Sequence, residues 1–180
     1  MLYTMPHRAF EEVVLPHLDA AFNYARWLTK SDADAEDVVQ DAAVRALRFF
    51  PSLRNDDARA WLLTIVRNTW YARCSRAGRA DQHAVFDDMK DERPDELLDP
   101  EALVIQQQTV ARVHRAIEEL PADFREVVVL RELEGLSYKE IAAVIGTPIG
   151  TVMSRLARAR ERLLAVLDPE SPMGGTGELS

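Results

Sequence analysis

The sequence predicts an all-α protein made of two small helical domains joined by a flexible acidic linker, on three observations. Apolar residues recur at spacings of three and four through most of the chain. Seven Gly and nine Pro among 180 residues supply little turn chemistry, which argues against a sandwich or barrel. The charge is also divided unevenly: residues 81–110 set nine acids against Lys90 and Arg93, whereas the stretches on either side are close to neutral. The expected organisation is a first domain over 6–80, the acidic linker over 81–100, a second domain over 101–168 and a disordered tail over 169–180.

In the first domain, Phe10, Val14, Leu18, Ala21, Ala25 and Leu28 form one buried stripe, which Pro16 interrupts, so the helix either kinks or begins there. A second helix starts between Ser31 and Asp34, where acids crowd the first turn, and ends at Phe50 before Pro51. Its core face is Val38 or Val39, Ala42, Ala46, and Phe49 or Phe50, and the opposite face carries Asp37, Gln40, Asp41, Arg45 and Arg48. A third helix, from about Asp57 to about Arg76, turns Ala58, Trp61, Leu62, Ile65, Val66 and Thr69 inward and places Arg67, Asn68, Tyr71 and Ser75 on another side. Arg73, Arg76 and Arg79 gather at its end, where they either complement the helix dipole or mark a nucleic-acid face.

The second domain opens on Asp99-Pro100, an N-cap followed by proline at the first helical position, and Leu103, Val110, Val113, Ile117 and Leu120 mark its first helix. Pro121 begins another, from Phe124 to Glu134, which Gly135 stops. Ser137 and Glu140 form a capping box ahead of Ile141, Ala142, Val144 and Ile145. Gly146 breaks that helix, and Thr147-Pro148 caps the next. The small Ala142, the Gly146 turn and the Val152 anchor have helix-turn-helix spacing. On the last helix Ile149, Val152, Leu156, Ala159 and Leu163 form the core stripe, while Thr151, Ser154, Arg155, Arg158 and Arg162 form a second one. That second stripe suits a DNA major groove, with Arg pairing to guanine and hydroxyls to phosphate; a solvated bundle with arginines outward is the alternative.

Three segments in order, DAEDVVQDAAVRAL (34–47), ARAWLLTIVRN (58–68) and LPADFREVVVLRELEGLSYKEIAAVIGTPIGTVMSRLARARERL (120–163), resemble the extracytoplasmic function (ECF) sigma factors of bacterial RNA polymerase. The resemblance implies a non-enzymatic transcription initiation factor with sigma region 2 and sigma region 4 domains. Core RNA polymerase, through its β′ clamp helices and β subunit, promoter DNA and an anti-sigma factor would be its partners. By position, Asp37, Gln40, Asp41 and Arg45 would face the polymerase. Arg67 and Asn68, with Tyr71, Arg73 and Arg76 beside them, would bind the minus 10 element, and the loop 51–57 would capture a flipped base. Ser154, Arg155 and Arg158, within the stripe that includes Thr151 and Arg162, would read the minus 35 element. Ala72 and Met153 depart from the residues common in the family.

Other function classes find less support. His7, His17, His83 and His114 are scattered, with no metal-ligand spacing, phosphate loop or nucleophile motif, so neither a metal nor another cofactor is expected. A helix-turn-helix activator acting without the polymerase is the competing reading. Cys74, alone, forms no internal disulfide and reads as a small core residue, with a redox-sensing thiol as the alternative. No leader pattern and no run of the ~18 apolar residues that span a bilayer is present, the densest run being 127–130, so a cytoplasmic protein that does not enter the membrane by itself is expected.

Overall fold

The computed structural model describes residues 5–53, 57–78 and 100–168. The acidic linker before Pro100, the tail after Asp168, Arg79, the middle of the 51–57 loop and the side chain of Leu103 lie outside the described residues. All regular structure among the described residues is helical.

Pro16 breaks the first stripe: α1 (Met5–Val14) passes through a 3-10 turn at Leu15–His17 into α2 (Leu18–Thr29). The ring forbids the backbone hydrogen bond that would carry one helix through. Lys30 closes α2 in the left-handed region at φ 59°. Ser31 then accepts the Asp34 N–H and opens α3 (Asp32–Phe49), whose Val38, Ala42 and Ala46 are buried. Of the two aromatics at its end, Phe49 faces solvent and Phe50 packs edge-on against Phe10. Asp57 accepts the Ala60 N–H and starts α4 (Ala58–Arg76). α2, α3 and α4 pack on one another around Ala21, Ala25, Val38, Ala42, Leu62 and Val66.

α5 (Pro100–Glu118) and α6 (Ala122–Val128) follow, the latter continued by a π-helical turn, Val129–Leu133, that Gly135 ends at φ 67°. The capping box forms as expected: Ser137 and Glu140 exchange hydrogen bonds at the start of α7 (Tyr138–Ile145). Gly146, at φ 68°, turns the chain into α8 (Ile149–Leu167). Ile141, Val144 and Ile145 share one core with Val152, Leu156 and Ala159. Arg112 of α5 donates to the Leu167 carbonyl at 2.8 Å and so satisfies the far end of α8.

Three local expectations need correction. Pro148 is the residue before α8 and Thr147 supplies no cap, its hydroxyl being buried and unpaired, because the turn uses the Thr147 N–H on the Ala142 carbonyl instead. Val110 and Ile149, expected in the core stripes, are exposed; Ile149 is the first residue of α8. Leu63, absent from the expected core, is fully buried, because α4 is covered on two sides.

That second cover is the other domain. α4 packs on α7, and α2 on α6, so a single hydrophobic cluster runs from Phe10 to Ala159.

Candidate nucleic-acid interface

On α8 the core stripe Val152, Leu156, Ala159 is buried, and the expected contact stripe lies away from it. Ser154, Arg158 and Arg162 are exposed, while Thr151 and Arg155 are half-buried. The structure therefore brings all five onto one accessible flank of the helix, as a 3.6-residue repeat dictates. Two of the guanidiniums are already held: Arg155 lies 3.0 Å from the Asp123 carboxylate, and Arg162 stacks over Phe124 at 5.0 Å. Ser154 donates to the Thr151 carbonyl at 3.0 Å. Arg160, on the far side of the helix from this stripe, pairs with Glu132 at 2.6 Å. Arg158 is left as a long exposed cation next to this set.

On α3, Asp37, Gln40 and Asp41 are exposed and turned away from the Val38, Ala42 and Ala46 face, while Arg45 is half-buried at the edge of that face. Arg73 of α4 reaches across to Asp37 and Asp41, at 3.7 Å from each carboxylate. The acidic stripe and the basic end of α4 thus form one continuous surface, although the sequence pointed to two separate ones. Arg76 and Asn68 are exposed, as is Tyr71.

Arg67 is different. Its guanidinium stacks on Tyr71 at 4.5 Å and points into the seam between the domains, where Nε donates to Glu126 at 2.7 Å. The hydroxyl of Tyr24 donates to the same carboxylate oxygen at 2.6 Å. Tyr24 and Glu126 are both buried. Burial, with the Glu126 charge and hydrogen bond adding to it, pushes the Tyr24 phenol well above its ordinary range. Burial works against the Arg67 charge, but Glu126 more than offsets it, so the guanidinium is held above its ordinary value. A second pair crosses the seam close by, Arg59 to Glu134 at 2.7 Å, and Trp27 packs its ring on His114 with centroids 5.3 Å apart. Next to these, burial lowers Arg125 and Lys30 and raises Glu118.

None of Tyr24, Arg59, Glu126, Glu134, Trp27 or His114 was expected from the sequence as a site residue. One signal was present in the sequence, the apolar run 127–130 directly after Arg125 and Glu126: such a run fits a helix covered all round, as the burial of 125–130 shows it to be, and two charges there need partners.

Family models match both halves in the same order: Sigma-70 region 2 over residues 13–80, and Sigma-70, region 4, over 111–163. The ECF RNA polymerase sigma-E factor of Escherichia coli is 40% identical over 137 residues, covering 72% of this chain and 72% of its own length. The chain belongs to the ECF sigma factors. The ECF RNA polymerase sigma factor SigE of Mycolicibacterium smegmatis is 34% identical over 86% of this chain, which spans 60% of that protein's length. Among solved structures, the sigma factor RpoE of Bartonella quintana, crystallised with the anti-sigma factor NepR, superposes with a TM-score of 0.69 at 32% identity, covering 91% of this chain and 99% of that one. This sigma factor is accordingly a promoter-specific initiation factor that binds RNA polymerase, and not an enzyme. A match to region 2 as well as to region 4 disfavours an activator that works without the polymerase. Among the described residues no helix is long and apolar enough to cross a membrane, and no cluster of His, Cys, Asp and Glu could hold a metal.

Proposed function

We propose that this sigma factor divides its work among three surfaces. Asp37, Gln40, Asp41 and Arg45 on α3 dock on the β′ clamp helices of core polymerase. Arg67, Asn68, Tyr71, Arg73 and Arg76 on α4 engage the minus 10 element. Thr151, Ser154, Arg155, Arg158 and Arg162 on α8 enter the major groove at minus 35. The observation that carries this reading is the α8 flank, where hydroxyls and guanidiniums sit together opposite a buried stripe and at the right place in a helix-turn-helix. The charged, exposed α3 face supports the polymerase contact, since desolvated charge pairs give such interfaces their register.

The protein works in the cytoplasm, and an anti-sigma factor restrains it, a reading supported by the NepR complex of its structural neighbour. Transcription from the factor's own promoter with purified core enzyme tests the whole scheme. A transcript that depends on this protein, and that is lost when Arg155 and Arg158 are both replaced by Ala, is the expected result. Wild-type transcript levels from the double variant would remove α8 from promoter recognition.

A further inference from the structure

Glu126 belongs to the second domain, yet both of its hydrogen-bond partners, Tyr24 and Arg67, belong to the first. One oxygen takes the Tyr24 hydroxyl and Arg67 Nε; the other takes Arg67 Nη2 at 3.3 Å. With only 3% of its surface exposed, the carboxylate is stable there because three donors converge on it. Arg67 depends on Glu126 in turn, since its guanidinium is drawn into the seam by this pair. An arginine fork gripping a carboxylate is chemically close to one gripping a phosphate, and the same donors cannot hold both.

We propose that Glu126 is an internal stand-in for promoter DNA on Arg67, a latch that holds the two domains together and withholds that arginine from nucleic acid until the pair is broken. The second clause rests on the minus 10 role given to Arg67 above; the first does not. Arg59 with Glu134 and the packing of α4 on α7 place further contacts along the same seam, so opening exposes the α4 flank as a unit.

The latch makes a chemical prediction about a near-isosteric change. Glu126→Gln keeps the volume but strips the counter-charge, leaving a half-buried guanidinium against a neutral amide, which separation of the domains would hydrate more fully. Because the partners of Glu126 all lie in the other domain, the change removes no side-chain hydrogen bond within its own domain. Small-angle scattering of the full chain should show a larger radius of gyration for Glu126→Gln than for wild type. Its affinity for a single-stranded minus 10 oligonucleotide, without polymerase, should rise at least about five-fold, a factor of ten being about 1.4 kcal/mol. Tyr24→Phe, which leaves the ion pair in place, should shift both readouts in the same direction by less. Should Glu126→Gln lose helical circular dichroism, Arg67→Gln tests the same latch from the other side by scattering. Expansion with tighter DNA binding supports the proposal in full. Expansion without it supports the latch and overturns the minus 10 role of Arg67. A folded Glu126→Gln or Arg67→Gln with an unchanged scattering profile overturns the latch.

Discussion

Arg155 on the second helix of the helix-turn-helix lies 3.0 Å from Asp123, the acid in the first turn of α6. A carboxylate beside a guanidinium narrows its orientations, and a fixed fork is what bidentate contact with a guanine edge requires. Arg158, one turn on, is exposed and long. The two arginines should therefore fail differently. Arg155→Ala should cost about 1–3 kcal/mol of duplex binding and relax preference at one base pair, whereas Arg158→Ala should weaken all sequences alike and reduce the salt slope by about one unit. Fluorescence anisotropy on a panel of minus 35 duplexes across a salt series checks this, and identical behaviour of the two variants counts against the division.

Asp37 and Asp41 share the Arg73 guanidinium at 3.7 Å, on an exposed surface where such pairs add little stability. Reversing both charges to Lys should leave the circular dichroism and the urea midpoint close to wild type. Affinity for core polymerase should fall by about 2 kcal/mol or more, as expected for desolvated charge pairs. Undiminished affinity would place the polymerase contact on another face.

The capping box makes stability depend on acid. Hydrogen bonds from Ser137 hold the Glu140 carboxyl below its ordinary value of 4.5. A depressed folded-state value contributes stability above the unfolded value and loses it as pH falls through the folded one. Urea midpoints measured from pH 5 down to pH 3 should accordingly drop less steeply in Glu140→Gln than in wild type. At neutral pH Ser137→Ala should cost about 1 kcal/mol. Parallel pH profiles for Glu140→Gln and wild type would show that this carboxylate does not set the slope.

Two glycines four residues apart should respond with opposite signs. Added methyl groups meet nothing within 4 Å at either Gly146 or Gly150, so only the backbone distinguishes them. Gly146 sits at φ 68°, where an L residue pays about 1–2 kcal/mol; Gly150 is helical, where Ala gains up to about 1 kcal/mol. Thermal unfolding of Gly146→Ala and Gly150→Ala should move the midpoint down and up respectively. A rise in both would mean that the turn relaxes without its left-handed residue.

What was legible in the sequence was local. Ser31, Asp57, the Ser137 and Glu140 box and Gly146 each set a helix end by hydrogen bonds to residues three or four away, so their spelling suffices. The α8 flank was equally readable, because helical periodicity alone puts Ser154, Arg155 and Arg158 together. Long-range pairing was not. Arg67 looked like a free cation on an outer side, and nothing within a turn of it names Glu126, 59 residues away. The same blindness hid Leu63, which is apolar on a side where one domain alone would have left it wet.

The π-helical turn at Val129–Leu133 acquires its meaning from the seam. Glu126 and Glu134 stand eight positions apart, and a plain α-helix would rotate the later one about 80° off the face of the earlier. The Glu134 N–H instead bonds the Val129 carbonyl, the wider loop of a π turn, which winds less per residue. This slower winding is a phase correction: it reduces the angle that an unbroken α-helix would place between the two carboxylates. From there Glu126 meets Arg67 and Glu134 meets Arg59. Eight residues separate those two arginines as well, on a helix without any such correction, so an equal spacing in sequence turns through a smaller angle on the acid side than on the arginine side.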